Sequence, residues 1–410
     1  MSTDILIKDV RLVDATQEQS GDLFIHDGII WALGKRVAIP GVAVIQGDGR
    51  TLLPAFVDLH AHFRDPGFPH KEDILSGSRA AAAGGYTAVS LMANTDPVCD
   101  RPDVVRYVRD KARGAGLVEL FPVGAITQGL QGEALSEMEG LGPYVWAFSD
   151  DGFGVQRDDV MLLACQRAAS LGRPLIEHCE TRGIEDHALS EALMAGRDIV
   201  LASHTGCRLH IAHVSTTETV DLIAQAKRED IGVTCEVTPH HLCIDEEVGY
   251  TVNPPLVDRA ARETLIQALV DERIDAIATD HAPHTSADKE NGLPGISGIE
   301  TAFALLHTQL VRTGKLSLLQ LSRAMSFNPA RILGLPKGAL SLGYDGDVVL
   351  IEKDESFTLL EEMLVSKGKN TPLLGTSLTG KICATLHKGE IIFIDGKIRG
   401  RDFDDHRQVI

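Results

Sequence analysis

The sequence predicts an α/β fold, a (β/α)8 TIM barrel with a small accessory β domain built from both chain ends. Three features lead to this prediction. The middle of the chain alternates short apolar strands with stretches of helical periodicity. Both ends show strand patterns, and several apolar strands of the middle end in histidine or aspartate.

The two chain ends share a pattern of short strands separated by tight turns. Residues 5–13 alternate in polarity, and a hairpin is predicted around His26-Asp27-Gly28. Near the other end, turns are predicted at Lys388-Gly389 and Asp395-Gly396. We therefore expect the chain to leave a β domain, form the barrel and return. The expected segments are 1–53 for the first part of the β domain, 54–336 for the catalytic barrel, and 337–410 for the second part and a tail.

A (β/α)8 barrel requires eight strands, each followed by a helix. The strands are expected at 56–60, 88–93, 119–124, 145–149, 174–178, 209–213, 233–237 and 276–280. Helices are expected at 72–83, 158–171, 217–228 and 260–271, and further helical stretches at 300–313 and 317–333. Gly84-Gly85 follows the first of these helices and is typical of a helix C-terminus.

Composition excludes several classes of function. The 410-residue chain has 58 acidic and 39 basic residues and a net charge of −19, which disfavours binding to nucleic acid or to an anionic membrane. Its seven cysteines are odd in number and form no CxxC pair, so we expect buried thiols in a reducing compartment. We recognise no signal peptide or membrane-spanning run, and therefore expect a cytoplasmic location.

The clearest chemical signature is His60-Ala61-His62 at the end of the first barrel strand. Residues two apart on a strand point the same way, so both imidazoles can face one metal ion. Other barrel strands also end in metal-ligand types, namely Asp150-Asp151, His178, His213 and Asp280. Because the strand ends of a barrel meet at one mouth, this set predicts a site for Zn²⁺ or a similar ion, with one or two ions per subunit.

Each of these residues also has a purely structural interpretation. A lone histidine at a strand end is more often a hydrogen-bonded core residue than a ligand, and Asp150-Asp151-Gly152 alone is typical of a turn. Asp280 alone could cap a helix. Their occurrence in order at the ends of strands one, four, five, six and eight favours a shared site. A supporting role and a structural role both stay open for four neighbours, which are Glu177, Glu180, His240 and His241.

Polar residues beyond the strand ends are candidates for substrate binding. Arg64, two residues after His62, and Asn94, at the end of strand two, could form a clamp for a carboxylate. Taken alone, Arg64 could instead pair with Asp65, and Asn94 could form a turn. The loops after strands seven and eight carry further candidates, which are Asn253, His284, Pro294 and Gly295. Pro294-Gly295 could also be a simple turn.

Together these motifs resemble those of the class I dihydroorotases, within the amidohydrolase superfamily. The resemblance covers nearly the whole chain. The HxH pair alone is a feature of the superfamily, whereas the combination of motifs is specific. The matching segments are 58–67, 94–95, 149–152, 178–180, 210–216, 253–255, 278–284, 328–331 and 370–372.

The resemblance implies a role for each site residue. His60 and His62 bind one metal ion with Asp280, and Asp280 is also the catalytic acid and base. The other implied roles are His178 and His213 as ligands of a second ion, Asp151 as a bridge between the ions, Arg64, Asn94 and His284 at the substrate carboxylate, His62 beside the substrate, and Asn253 and Pro294-Gly295 at its ring.

The reaction implied by the resemblance is the zinc-dependent, reversible hydrolysis of the ring amide of dihydroorotate to N-carbamoyl-aspartate. This is the third step of pyrimidine synthesis. The implied partners are this pair of small molecules and further copies of the chain in a homo-oligomer. A complex with aspartate transcarbamoylase is a further alternative.

The sequence departs from the family in a few places. Ala93 stands where the family usually has proline, and we expect this change to be tolerated. The stretch from His178 to His213, the approach to Asn253 and the loop from His284 to Pro294 are shorter than in relatives, which predicts a reduced or mobile lid over the site.

Two other functions compete with this interpretation. A hydantoinase or allantoinase would share the barrel and the histidines, but would lack the carboxylate clamp and usually carry lysine at the position of Asp151. A non-catalytic scaffold of aspartate transcarbamoylase would have lost metal ligands, and this chain retains all six.

Overall fold

The computed structural model describes residues 4–399, so the predicted tail from position 400 onward lies outside the described residues. Within this range the chain forms sixteen strands. They are β1 Ile5–Val13, β2 Glu18–His26, β3 Ile29–Gly34, β4 Ala43–Gln46, β5 Thr51–Pro54, β6 Phe56–Ala61, β7 Tyr86–Leu91, β8 Glu119–Pro122, β9 Leu175–Glu177, β10 Leu209–Ile211, β11 Val233–Val237, β12 Ala276–Ile277, β13 Val348–Thr358, β14 Ser377–His387, β15 Glu390–Ile394 and β16 Lys397–Ile398.

Twelve α-helices lie between these strands in the described part of the chain. They are α1 Ile74–Ala83, α2 Pro102–Ala115, α3 Met138–Leu141, α4 Asp158–Leu171, α5 His187–Thr205, α6 Thr217–Arg228, α7 Pro239–Cys243, α8 Arg259–Val270, α9 Ser286–Glu290, α10 Ala302–Leu306, α11 Leu318–Ser322 and α12 Asn328–Leu333. Two π-helical segments follow α10 and α11, His307–Val311 and Arg323–Phe327, and three short 3-10 helices occur at Gln128–Leu130, Glu246–Val248 and Glu361–Met363.

Helix boundaries follow from local sequence signals. Asp73 caps α1, because its carboxylate accepts the N–H of Ser76 at 2.8 Å, and α1 ends before Gly84 as predicted. The predicted bounds of α4 and α6 are also confirmed. None of the helices within residues 4–399 is both long and apolar enough to cross a membrane.

Parallel strands close into a barrel in the middle of the chain. β6 to β8 form one parallel sheet and β9 to β12 another. Phe148 joins the two sheets, because it bridges Gly124 on one side and Leu175 on the other. Ala61 bridges His281 and closes the circle. The predicted TIM barrel is therefore confirmed.

The predicted fourth strand at 145–149 is not a regular strand, since only Phe148 bridges both neighbours. The chain turns immediately afterwards, with Gly152 at φ 81° and Gly154 at φ 60°. The Asp150 carboxylate accepts the backbone N–H groups of Ile126 and Thr127 at 2.8 and 2.9 Å. These bonds fix the loop, and they direct Asp150 away from the metal-ligand cluster expected at its neighbour.

The chain ends form one nine-stranded sheet in the order β16-β15-β14-β13-β5-β1-β2-β3, with β4 also paired to β1. The two ends meet where β5 runs parallel to β1 and antiparallel to β13. The predicted hairpin joins β2 and β3, with Asp27 and Gly28 at φ 45° and 79°. A β domain built from both ends is confirmed, while its boundaries at 53/54 and 336/337 stay a prediction.

Candidate active site

The six predicted metal ligands meet at the carboxyl end of the barrel. Each lies at or just beyond a strand or at the Phe148 bridge, where the strand direction carries side chains to one mouth. No ligand is more than 6% exposed. The six residues are His60, His62, Asp151, His178, His213 and Asp280.

Five of these residues form two overlapping groups. Ligand atoms of His60, Asp151 and His213 lie within 4.8 Å of one another, as do those of His60, His62 and Asp280. His60 belongs to both groups. Its Nε2 is 3.3 Å from Asp151 Oδ1 and 3.6 Å from Asp280 Oδ1. The groups therefore describe two adjacent positions that could each hold a metal ion.

His178 lies just outside both groups. Its Nδ1 is 3.0 Å from His213 Nε2 and 3.9 Å from Asp151 Oδ1. Its Nε2 is 3.0 Å from the Oε2 atom of Glu180. A carboxylate oxygen only accepts hydrogen bonds, so this contact places the ring proton on Nε2. The other ring nitrogen, Nδ1, then carries a lone pair that faces the cluster.

The environment of His60 tests whether a cation fits this cluster. Its Nδ1 is 3.0 Å from the Oε1 atom of Glu236. Burial raises the pKa of Glu236, but hydrogen bonds with His210 and His60 outweigh it and lower that pKa to about 2. Glu236 is therefore a carboxylate that only accepts, so His60 carries its proton on Nδ1 and presents a lone pair on Nε2.

Two buried atoms in the cluster lack a hydrogen-bond partner among residues 4–399. They are His60 Nε2 and Asp151 Oδ1, which lie 3.3 Å apart. A cation between them would satisfy both atoms, and imidazole with carboxylate is a donor set that suits Zn²⁺ and similar divalent ions. The residues therefore fit a metal ion.

The electrostatics of the cluster point the same way. Burial lowers the pKa of His60, but Asp151 and Glu236 raise it well above its ordinary value, so these carboxylates favour a positive charge at Nε2, which a proton or a metal ion can supply. Burial raises the pKa of Asp280, but His62 and His60 outweigh it and hold the pKa below its ordinary value. The buried carboxylates thus demand positive charge at this position.

Three residues of the site also have an unusual backbone conformation. Arg64, His213 and Asp280 have φ values of 57°, 33° and 46°, in a region that side-chain-bearing residues seldom adopt. Such conformations cost free energy and persist where surrounding structure enforces them, which often happens at functional sites. All three residues lie at the barrel mouth.

Arg64 lies beside the cluster without an anionic partner. Its Nε donates to the carbonyl of Pro283 at 3.3 Å, and its Nη2 lies 3.3 Å from His284 Nε2. It forms no ion pair with a carboxylate anywhere in residues 4–399, so the alternative pairing with Asp65 does not occur. The half-buried guanidinium keeps unused donors that could bind an anion.

Asn94 contacts two of the predicted ligands, and Asn253 lies beside a third. Asn94 Oδ1 is 2.9 Å from His62 Nδ1, and its Nδ2 donates to Asp151 Oδ2 at 3.2 Å. Asn253 Nδ2 donates to Glu180 Oε2 at 3.1 Å. Both amides therefore lie at the mouth, and their contacts with a substrate stay a prediction.

The strand-eight loops carry the remaining predicted residues. Burial, Arg64 and Lys71 lower the pKa of His284 to about 4, so its ring is neutral and Nε2 can accept from Arg64. Gly295 has φ 139° and its N–H donates to the carbonyl of Thr251 at 3.1 Å. Pro294 is exposed beside it.

Sequence comparisons place this site in a known family. A family profile described as Dihydro-orotase-like matches residues 49–219. A dihydroorotase from Clostridium botulinum is 42% identical over 393 residues, covering 95% of this chain and 99% of that protein. A dihydroorotase from a Thermoanaerobacter species is 40% identical, covering 94% and 96%. This chain belongs to the dihydroorotase family.

The family resemblance inferred from the motifs is thereby confirmed. Solved structures share the dihydroorotase-family fold. An L-hydantoinase (dihydropyrimidinase) from Arthrobacter aurescens matches with a TM-score of 0.87 at 25% identity, covering 97% of each chain. A D-hydantoinase from Bacillus sp. AR9 matches with a TM-score of 0.86 at 24% identity, covering 97% of this chain and 96% of the other. These matches confirm the architecture.

The sequence left a supporting and a structural role open for four neighbours of the ligands in this dihydroorotase-family chain, and the structure shows that their contacts differ. Glu180 contacts His178, whereas the buried carboxylate of Glu177 has no hydrogen-bond partner among residues 4–399. His241 is structural, because its Nε2 is 3.1 Å from the carbonyl of Pro254, next to Asn253. His240 is buried, and its Nε2 has no partner in the same range.

Two buried carboxylates that contact His60 were not identified from the sequence. Glu236 contacts His60, and Asp58 accepts the N–H groups of Thr279 and His60 at 2.9 and 3.3 Å. Burial raises the pKa of Asp58 to about 7. A charged residue inside an otherwise apolar barrel strand was the available signal, since both lie mid-strand and point into the protein.

Proposed function

We propose that this chain is a dihydroorotase, which reversibly hydrolyses the ring amide of dihydroorotate to N-carbamoyl-aspartate with Zn²⁺ and so performs the third step of pyrimidine synthesis. One observation carries the proposal. The guanidinium of Arg64 has no carboxylate partner within residues 4–399, and it lies beside a cluster that demands a cation. A cyclic amide bearing a carboxylate requires both features in one site.

The six ligands divide between two metal positions in this proposal. His60, His62 and Asp280 would hold one ion, His178 and His213 a second, and Asp151 would contact both. When bound, such ions supply a water that is activated at neutral pH and a means of polarising a carbonyl group. Glu236 and Asn94 keep the ring nitrogens of His60 and His62 oriented for this task.

Asp280 moves the proton. Its carboxylate is ionised, since His62 and His60 keep its pKa low against the effect of burial, and it can accept a proton from the attacking water. As the ring amide opens, Asp280 delivers that proton to the leaving nitrogen. In the reverse direction it removes the proton from the carbamoyl nitrogen as the ring closes.

Arg64 orients the substrate through its carboxylate. Neutral His284 accepts from Nη2 and so fixes the plane of the guanidinium, while Asn94 provides an amide next to His62 Nδ1. We infer that Asn253 and the backbone of Pro294-Gly295 contact the ring. This arrangement holds the amide carbonyl towards the metal positions.

The competing functions have weaker support. A hydantoinase acting on a ring without a carboxylate would leave Arg64 with no anion to bind. A non-catalytic scaffold would not need six buried ligands brought together with unsatisfied atoms at their centre. The similarity to hydantoinase structures concerns the fold.

Turnover by the zinc-loaded protein tests the proposal. We expect it to interconvert dihydroorotate and N-carbamoyl-aspartate, and to leave a substituted hydantoin lacking the carboxylate intact. If the zinc-loaded protein shows no turnover, either alone or with aspartate transcarbamoylase, the proposal that it is an enzyme is contradicted.

The Arg64→Ala variant tests the role of the guanidinium, and it should raise the KM for dihydroorotate about 100-fold, because a charge-assisted, bidentate contact is lost. Arg262→Ala is the control, since Arg262 is paired with Asp245 at 2.8 Å. An unchanged KM in the Arg64 variant would indicate a neutral ring substrate.

The cellular setting is part of the same proposal. We infer a cytoplasmic homo-oligomer, with aspartate transcarbamoylase as a candidate partner. All seven cysteines are free thiols, which suits a reducing compartment. On α5, Leu189, Leu193 and Val200 are 49%, 49% and 66% exposed, which supports contact with another subunit. Native mass spectrometry of the protein, with and without aspartate transcarbamoylase, tests both assemblies.

A further inference from the structure

The loops after β12 are joined by a residue from the distant C-terminal part of the chain. Asn370 lies between β13 and β14, and its side chain reaches the barrel mouth. Its Oδ1 accepts the N–H of His284 at 2.7 Å, and its Nδ2 donates to the carbonyl of Gly295 at 3.0 Å. One amide thus spans the two segments in which His284 and Pro294-Gly295 occur.

The Asn370 amide is fully used in this position. Besides those two bonds, Oδ1 accepts from the hydroxyl of Ser297 at 2.8 Å and Nδ2 donates to the carbonyl of Ala282 at 3.1 Å. An asparagine side chain offers two donors and one oxygen with two lone pairs, so all four capacities are satisfied. Asn370 is only 9% exposed, which strengthens each of these bonds.

The segment that carries Asn370 is itself fixed to the barrel. Ser366 donates its hydroxyl to the buried carboxylate of Glu72 and its N–H to Glu300 at 3.0 Å. Glu72 lies next to the start of α1, and Glu300 precedes α10. The segment around Asn370 is therefore anchored to the barrel, so the Asn370 side chain can hold the strand-eight loops in fixed positions.

We propose that Asn370 is a positioning residue for the substrate, which sets the spacing between the His284 segment, at the substrate carboxylate, and the Gly295 segment, at its ring. This inference rests on the proposed function, because it assumes that these segments contact the substrate. Asn370 itself makes no contact with the reacting atoms. Loss of its side-chain contacts should therefore weaken substrate binding much more than it slows the turnover of bound substrate.

Asn370→Asp is the sharpest variant. Asparagine and aspartate have the same shape, but a carboxylate would place an oxygen against the carbonyls of Ala282 and Gly295, where the amide now donates. Asn328→Asp is the matched control. Asn328 also donates its Nδ2 to a backbone carbonyl beside β12, that of Asp275 at 2.7 Å, but at the opposite end of the strand.

Steady-state kinetics and calorimetric titration with orotate, the planar ring acid related to the substrate, test the proposal on zinc-loaded proteins. We expect Asn370→Asp to raise the KM for dihydroorotate and the Kd for orotate by about tenfold or more, since two bonds are lost, with kcat within about threefold of wild type. Bound zinc should be unchanged. Asn328→Asp should leave KM and Kd at wild-type values.

Three outcomes would overturn the inference. A wild-type KM and Kd in soluble Asn370→Asp would remove the positioning role. An equal rise in KM in both variants would indicate a general loss of structure. Should Asn370→Asp not fold, Asn370→Ser keeps one donor and one acceptor, and a wild-type KM in that variant would count against the proposal. Absence of turnover and orotate binding in the wild type would instead defeat the function on which it rests.

Discussion

In each half of the candidate metal centre a histidine donates a hydrogen bond to a glutamate, but the two glutamates differ in exposure to solvent. In one half, His60 donates from Nδ1 to Glu236, whose side chain is 1% exposed. In the other half, His178 donates from Nε2 to Glu180, whose side chain is 49% exposed. A charge-assisted hydrogen bond is stronger where water is excluded. The buried half is therefore rigidly prepared for a metal ion, and the half at the mouth can adjust.

This difference predicts an order of metal binding. His60 and His62 are both held through their second ring nitrogen by buried or half-buried oxygens, of Glu236 and Asn94. In His178 the corresponding contact can exchange with solvent. The position formed with Asp280 should accordingly bind its ion more tightly than the position formed with His213.

The largest effect should come from His60→Ala. In the proposal His60 holds the ion of the buried half, and it also lies in the group of Asp151 and His213, so we expect this variant to lose that ion, to weaken the second position and to lose dihydroorotate turnover. His178→Ala should retain one ion per subunit, because His178 lies outside both groups. Elemental analysis of dialysed protein, combined with the turnover assay, measures both. Equal metal loss in the two variants would remove the distinction between the halves.

The sequence identified the candidate ligands of both halves and left a supporting role open for Glu180, but it did not indicate Glu236. His60-Ala61-His62 has an internal spacing that identifies it, and the other ligands stand at predicted strand ends. Glu236 has no such spacing, and its partner His60 is 176 residues away. Its contacts join residues of strands one, six and seven, and these residues come close to one another only when the barrel closes.

The same limit applies to the fold. The other barrel strands lie within three residues of their predicted bounds, whereas 145–149 became a single bridge at Phe148 because the loop fixed by Asp150 replaces its ladder. The two π-helical segments likewise interrupt stretches whose periodicity predicted simple helices. Asn370 contacts Gly295 from 75 residues away, and no local pattern encodes that contact.

Glu236→Gln should have the next largest effect. The amide can still accept from His60, but it removes a buried negative charge that supports the ring as a metal ligand and that also contacts His210 at 3.1 Å. Loss of such a contact typically weakens metal affinity 10- to 100-fold, so we expect a shift of about that size for zinc. Competition with a chelator measures it. Wild-type affinity would mean that burial does not make this half the more rigid one.

Glu180→Gln should have the smallest effect and serves as the matched variant in the exposed half. The hydrogen bond with His178 lowers the pKa of Glu180 to about 2 against partial burial, and Asn253 contributes. Because this pKa is depressed, the contribution of the ionised group to stability is present above its ordinary value near 4.3 and is lost only as pH falls towards 2. The effect of the variant should therefore be constant between about pH 6 and 9.

Solvent limits how large that constant effect can be. An exposed ion pair contributes at most about 1 kcal/mol, which corresponds to roughly a fivefold change in an equilibrium constant. We therefore expect Glu180→Gln to weaken zinc binding less than fivefold, well below the effect of Glu236→Gln, and added salt should narrow the difference from wild type further. Chelator competition at low and high ionic strength measures both effects. A loss as large as that of Glu236→Gln would show that the mouth excludes water when metal is bound, and the two halves would then be equivalent.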